Sequence, residues 1–207
     1  MSSSDITMTT NPLLQLASDR AQARAQGDAM ANLACLATAA DGRAAARMLV
    51  LRDLGDELAL FYSDTSPKAA QLNSGALPEL LIYLPSLNVQ YRLGVRLRAI
   101  PAELLTLHWQ RRPDAAKRID WFYNTVRAQS LPIESRDALK QAVAQNAQSA
   151  ATSTTQPPPA AGGYFLDVHA VERLHIQDTD PPHDRRRYAR VKTDGQPDQW
   201  KEQVLVP

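Results

Sequence analysis

Residues 47–72 read RMLVLRDLGDELALFYSDTSPKAAQL, and the fold turns on how they are divided. Apolar and polar residues alternate on both sides of Gly55-Asp56, a dipeptide of the kind that joins antiparallel strands. The second run leads through Ser63-Asp64-Thr65-Ser66 into Pro67-Lys68, where a short helix, PKAAQLN, is predicted, with Gly75 closing it. Serine is favoured as an N-cap, proline at the first helical position and glycine just past the end. A helix start offers unpaired backbone N–H groups and the positive end of the helix dipole. Ser63, Thr65 and Ser66 add hydroxyls and Lys68 a mobile cation. Arg47, read as lying on the neighbouring strand of the same hairpin, adds a guanidinium able to bind phosphate through two bonds. The stretch is therefore either an anion-binding helix start or an ordinary capped surface helix, and spacing alone favours the second.

Working outward, Pro12 to Met30 has helix formers and an apolar patch at its start, and reads as a helix. Residues 1–11 are polar and read as a disordered arm. From Ala31 the period shortens. Asp41-Gly42 separates two apolar runs, and two further strands flank Pro85-Ser86-Leu87-Asn88. In the second of these, Tyr91, Leu93, Val95, Leu97 and Ala99 alternate with Arg92, Gly94, Arg96 and Arg98, as on a strand with one buried and one wet face. Arg92, Arg96 and Arg98 thus share a face, read first as a wet face and, more sharply, as an anion-lined cleft. Ala102 to Tyr123 is helical in composition and broken at RRPD, where Pro113 ends one helix and can open the next. A third helix is read over Glu134–Gln148. Residues 149–163, SAATSTTQPPPAAGG, form a low-complexity internal loop. Three strands follow, the last two joined at Asp194-Gly195. About eight strands with late helices make an α+β protein on an antiparallel sheet or barrel.

Composition narrows the function. The 207 residues, 44% hydrophobic, suffice for one ordinary domain, read as spanning 12–207. Lysine and arginine number 23 against 22 acidic residues, for a net charge of +1, so nothing global favours nucleic acid or a membrane surface. The lone cysteine, Cys35, sits in an apolar run and reads as an inert core thiol in a reducing, cytoplasmic setting. No signal peptide is read at the N-terminus, and no apolar run approaches the ~20 residues that span a bilayer. The four histidines, His108, His169, His175 and His183, show no metal-ligand spacing, so no metal site is expected. Trp109 and Trp121 read as core or interface anchors. No nucleophile elbow and no G-x-G-x-x-G motif is present.

Taken in order, LATAADGRAAARMLVLR, LALFYSDTSPKAAQL, LLIYLPSLNVQYRLGV, HWQRRPD, HDRRRYAR and WKEQVLVP resemble the pyridoxamine 5'-phosphate oxidase family over residues 31–207. Each motif is moderately specific; their order and spacing carry the resemblance. It implies an FMN-binding split β-barrel with peripheral helices, working as a homodimer with FMN at the subunit interface. It assigns FMN contacts to Arg47, Met48, Leu49, Val50 and Arg52, to Tyr62 and Ser63, to Ser66 and Lys68 at the phosphate, to Gln90 along the ring edge, to Gln129 and Ser130 from the partner subunit, and to Arg185. FMN's phosphate suits arginine, lysine, hydroxyls and a helix start, while the redox chemistry belongs to the flavin.

The substrate side departs from the family pattern. Arg52 replaces a lysine, His108 a tyrosine and Ala116 a serine; Pro181 stands at an arginine position, and Leu174 or His175 where a tryptophan covers the flavin. Arg112 and His183 are kept, so Arg52, Arg112 and His183 are the candidate catalytic residues. His183 reads as a pocket residue or a surface one in a charged strand, with the pocket favoured. The resemblance implies hydride transfer from a small-molecule substrate to flavin N5, with reoxidation by oxygen as one route. The alternatives are another substrate or a non-catalytic flavin-binding role; a nucleic-acid binder using HDRRRYARVK is the weakest reading.

Overall fold

The computed structural model of the protein describes residues 11–148, 155–178, 182–191 and 198–207. In chain order these contain α1 (Pro12–Ala25), β1 (Leu33–Ala40), β2 (Arg43–Val50), β3 (Arg52–Leu54), β4 (Glu57–Ser63), α2 (Pro67–Leu72), β5 (Glu79–Leu84), β6 (Val89–Ala99), α3 (Ala102–Gln110), α4 (Asp114–Thr125), α5 (Arg136–Ala147), β7 (Ala161–His175), β8 (Asp184–Val191) and β9 (Gln199–Leu205). The chain divides into two compact units. One draws on Met1–Leu58, Leu77–Arg96 and Leu166–Pro207, the other on Ala59–Ala76 and Leu97–Phe165.

The first unit is built from antiparallel strands whose turns are written in the sequence. Asp41 and Gly42 take φ of 51° and 72°, the left-handed pair that a two-residue hairpin needs, and set Ala40 opposite Arg43 and Leu33 opposite Val50. β1 also pairs with β5, and β5 with β6. The β5–β6 connection is a 3-10 turn at Pro85–Leu87, closed by Asn88 at φ 52°. Leu80, Ile82, Tyr91, Leu93 and Val95 are wholly buried, as the alternation of β6 requires. β8 pairs with β7 on one side and β9 on the other. α1 starts at Asn11, whose side chain accepts from the Leu13 amide at 3.0 Å. The helix carries two buried charges. Arg20 pairs with Asp53 and donates to the Ala31 carbonyl at 3.0 Å. Asp19 accepts from the Tyr91 hydroxyl, which in turn accepts from Arg173 Nε at 3.1 Å. Burial first, and then the bond to Asp19, push the Tyr91 hydroxyl well above the usual tyrosine range, so it stays a donor.

The second unit packs α3, α4 and α5 with α2 and a short antiparallel ladder, in which Ala59 faces Phe165 and Ser63 faces Ala161. Gly163 opposes Phe61, and a Cβ there would meet Ile100 Cδ1 at 2.8 Å. Ser135 caps α5 by accepting from the Ala138 amide at 3.0 Å. Thr125 of α4 bonds Asn146 of α5 at 2.9 Å.

Several sequence readings are corrected. The first helix ends at Ala25 rather than Met30, because Gly27 takes φ 74° and Asp28 then caps a separate 3-10 turn. RMLVLRDL is not one strand: Leu51 interrupts it, its amide donating to the Asn32 carbonyl at 2.9 Å. Arg47 therefore does not share a hairpin with β4. It lies on β2, which pairs with β1 along its whole length, opposite Leu36. β7 begins at Ala161, so the last three residues of the expected 149–163 loop are strand, while 149–154 fall outside the described residues. The third late helix starts at Arg136, not Glu134. Cys35 is half-buried rather than a core thiol. The arm's residues 1–10, Pro181 and the Asp194-Gly195 turn lie outside the described residues.

Candidate functional site

The residues singled out by the sequence fall into both units. In the second, β4 ends in a cluster of hydroxyls and Lys68 joined by Gln129 of the same chain, a residue the resemblance assigns to the partner subunit. Ser63 Oγ and Thr65 Oγ1 are 2.8 Å apart. Lys68 Nζ donates to Gln129 Oε1 at 3.1 Å, and the Gln129 amide approaches Thr65 Oγ1 at 3.4 Å. Three side chains from β4, the turn after it and α2 are thus joined to one from the segment after α4. Ser66 does not act as a side-chain N-cap. It is buried, and its hydroxyl turns back to donate to the Ser63 carbonyl at 2.6 Å. Ser130 is exposed, with φ 71°. Tyr62 lies flat against Tyr164, ring centroids 4.9 Å apart, over Gly162, where a Cβ would stand 2.8 Å from Tyr62 Cζ. Burial first, then Tyr164, push the Tyr62 hydroxyl far above its usual range.

Arg112, a candidate substrate residue, is already engaged. Its Nη2 lies 2.7 Å from Asp120 Oδ2. Burial raises the Asp120 pKa, against the opposing pull of Arg112 and then Lys68. Sequence reasoning missed Asp120, which reads as one more polar residue of α4. His108 packs its ring 5.6 Å from that of Phe61. Trp109 is buried, as a core anchor should be, and Trp121 half-buried.

In the first unit, strand alternation splits the Arg47–Val50 set between two faces. Arg47 is half-buried, and its Nη1 donates to Thr38 Oγ1 at 2.6 Å. Met48 and Val50 point to the other face, 50% and 43% exposed. Leu81 and Tyr83 of β5 are exposed too, at 38% and 36%, so β2 and β5 carry uncovered apolar side chains. Leu49 is half-buried and Arg52 exposed. Gln90 is half-buried on β6, opposite Tyr83. Arg185 is not a solvated charge: its Nε and Nη2 donate to Glu172 Oε1 at 3.1 and 2.8 Å. His183 is exposed in the single chain, at φ 62°, and its Nδ1 accepts from the Gln177 amide at 3.3 Å. Among the described residues no helix is long and apolar enough to cross a membrane.

No protein-family model matches the chain. It is 28% identical over 192 residues to pyridoxine/pyridoxamine 5'-phosphate oxidase 1 of Hydrogenovibrio crunogenus, covering 91% of this chain and 86% of that protein. A pyridoxine/pyridoxamine 5'-phosphate oxidase of Myxococcus xanthus is 26% identical over 168 residues, 81% of this chain and 77% of the relative. Among solved structures, PhzG of Burkholderia lata, crystallised with tetrahydrophenazine-1-carboxylic acid, superposes with a TM-score of 0.77 at 23% identity, over 96% of this chain and 94% of its own. A pyridoxamine 5'-phosphate oxidase-related, FMN-binding protein of Nostoc punctiforme gives a TM-score of 0.72 at 21% identity, over 97% and 100%. The resemblance read in the sequence is borne out, and so is the fold: an antiparallel, curled sheet with several helices, as in the FMN-binding split barrels.

Proposed function

We propose that the chain binds FMN and is a flavin-dependent oxidoreductase of the pyridoxamine 5'-phosphate oxidase type, with an altered substrate site. The observation that carries the reading is the Ser63–Thr65–Lys68–Gln129 cluster. Two hydroxyls and a cation are tied together at the start of α2, the donor set that a phosphate ester needs. FMN, when bound, supplies the hydride-accepting chemistry. Lys68 would hold its phosphate, with Ser63 and Thr65 turning their hydroxyl protons toward it. Ser66 holds the turn in shape through the Ser63 carbonyl rather than by direct donation. Arg47, Gln90, Gln129, Ser130 and Arg185 are assigned to the cofactor by the resemblance, and Glu172 fixes the orientation of the Arg185 fork.

Support for a homodimer comes from the uncovered Met48, Val50, Leu81 and Tyr83, an apolar surface suited to a second copy. A cytoplasmic location accords with the lone cysteine and with the bacterial relatives. The test of function is an absorbance spectrum of the purified protein, followed by anaerobic mixing with pyridoxamine 5'-phosphate. Flavin bands that bleach support an oxidase. A colourless protein that takes up no FMN overturns the reading.

One observation favours the second reading, in which flavin is bound but a phosphorylated vitamer is not oxidised. Arg112, a cation that the resemblance places on the substrate side, is paired with Asp120 within its own unit. Flavin bands that persist on mixing would select this reading.

A further inference from the structure

In the first unit, Glu172 of β7 gathers three arginines around one carboxylate. It is nearly buried, and the cations come from β6 (Arg92) and β8 (Arg185 and Arg187). Register alone would pair it with Arg187, which stands directly opposite on β8, while Arg185 stands opposite Leu174. The bonds run otherwise. Arg187 keeps Nη2 3.7 Å from Glu172 Oε2, too far for a hydrogen bond, with 54% of its side chain exposed. Arg185 reaches back along the diagonal, a span that only a long side chain covers, and donates Nε and Nη2 to the one oxygen Oε1 at 3.1 and 2.8 Å. Arg92 Nη1 lies 3.4 Å from the same oxygen, but its Nε donates to Glu79.

Two bonds from one planar group fix its rotation as well as its position. The clamp takes up the Nε–Nη2 edge of Arg185 and leaves the edge that carries Nη1 turned away from Glu172. Among the described residues Nη1 makes no hydrogen bond, and 32% of the side chain is exposed. The Glu172 charge also offsets the mutual repulsion of three neighbouring guanidiniums. Without it, Arg185 would spread toward water and lose its fixed rotamer, to be ordered again each time a ligand binds.

We propose that Glu172 is a positioning residue for the flavin: its carboxylate holds the Arg185 guanidinium with one edge open to the cofactor, and offsets the positive charge gathered there. This role rests on the flavin reading, in which Arg185 is a cofactor contact. The donor set fits the group, since a guanidinium edge offers fixed N–H donors to the polar edge of a flavin, and charge near the ring tunes its electronics.

The test is flavin titration and potentiometry on the full chain. Glu172→Gln keeps a side-chain oxygen for Arg185 but drops the charge, and a neutral acceptor holds a guanidinium about half as strongly. FMN should bind about tenfold more weakly, and riboflavin by the same factor, because the phosphate cluster at Lys68 is untouched. The bound flavin should also become easier to reduce, since a negative charge is gone while the arginines remain. A shift of about tenfold in the affinity of reduced over oxidised flavin reads as a two-electron potential about 30 mV higher. Loss of packing alone would weaken the flavin without raising its potential. In an Arg185→Ala background, Glu172→Gln should cost no further affinity, because the arm it holds is gone. Arg185→Lys keeps the charge but cannot form the two-bond clamp, so it should weaken FMN as much as Arg185→Ala does; this variant keeps the test valid if Glu172→Gln does not fold. The proposal is overturned if Glu172→Gln holds FMN within about threefold of wild type, if its potential is unchanged or lower, if the two substitutions weaken FMN additively, or if Arg185→Lys binds as wild type does. Any of these in a protein that takes up flavin refutes the role of Glu172 alone. A wild type that takes up neither FMN nor riboflavin refutes the flavin reading, and this role with it.

Discussion

Replacing Lys68 with alanine removes the cation of the hydroxyl cluster. Its Nζ donates to the neutral Gln129 Oε1 at 3.1 Å, on a residue that water can reach, and losing that bond should cost the folded state about 1 kcal/mol. Bound to FMN, the same ammonium would make a charge-assisted bond to phosphate, worth about 1.5–3 kcal/mol. Each ~1.4 kcal/mol is a factor of ten in affinity, so the FMN dissociation constant should rise roughly ten- to a hundred-fold. Riboflavin lacks the phosphate and should bind wild type and variant alike. The assay is quenching of flavin fluorescence on titration, with FMN and riboflavin run side by side at fixed salt. An FMN constant within about threefold of wild type, less than ~0.7 kcal/mol, would remove Lys68 from the phosphate site. An equal loss for riboflavin would mean that the variant had disturbed the site rather than its charge. Arg47 is the poorer choice for this test, because its bonds to Thr38 and the Leu36 carbonyl tie its loss to the stability of β1 and β2.

Four further outcomes follow from the geometry. Asp120→Asn should release Arg112 and tighten pyridoxamine 5'-phosphate by about tenfold, the worth of one charged hydrogen bond, in calorimetry on the flavin-loaded protein; no change would take Arg112 out of substrate binding. Val50→Asp puts a charge on the uncovered apolar residues of β2 and should shift sedimentation toward the monomer; an unchanged profile would place any dimer contact elsewhere. Gly162→Ala drives a Cβ to 2.8 Å from Tyr62 and should cost about 1–3 kcal/mol, read as a lower melting temperature, whereas an unchanged midpoint would show that the Tyr62–Tyr164 stack yields freely. His169 has a folded pKa below its ordinary 6.5, so the unfolded chain takes up its proton first as pH falls. Its contribution to stability is therefore full above about pH 6.5 and is lost below it, and His169→Gln should flatten that part of the stability–pH curve; a parallel curve would refute the assignment.

Local chemistry made much of the fold legible. Two positive-φ residues at Asp41-Gly42 could only be a tight hairpin, and the period-two pattern of β6 marked Tyr91, Leu93 and Val95 as buried, though Leu97 of the same face is half-buried and Ala99 exposed. Partner choice was not legible. Nothing in RMLVLRDL marks Leu51 as the break, because the group that ends the strand is a backbone amide reaching Asn32. β4 pairs with Gly162, Gly163 and their neighbours, far along the chain beyond four helices, and no local signal encodes that. The site divides the same way. The hydroxyls and Lys68 were legible because they crowd one short stretch. Asp120 and Glu172 were not, since each matters only through a side chain brought to it by the fold.

What separates the candidate cations is therefore the group each is directly bonded to, which composition cannot show. Lys68 hydrogen-bonds an amide oxygen and also acts on the Asp120 charge, while Arg112 pairs directly with that carboxylate. A phosphate arriving at Lys68 takes the place of the amide acceptor Gln129 Oε1 and gains a charge-assisted bond. At Arg112 it must displace Asp120, leaving a half-buried carboxylate beside a dianion, or drive that carboxyl to take up a proton. Burial has already raised the Asp120 pKa, which makes protonation the easier route and ties any phosphate binding there to lower pH. Phosphate binding at Lys68 and at Arg112 should thus respond oppositely to Asp120→Asn: flavin affinity stays near wild type or rises slightly, while a phosphorylated substrate tightens and loses its preference for acid. If both change together and by the same factor, the two cations serve one anion, and a cofactor site that is retained beside a substrate site that is altered is the wrong division of this chain.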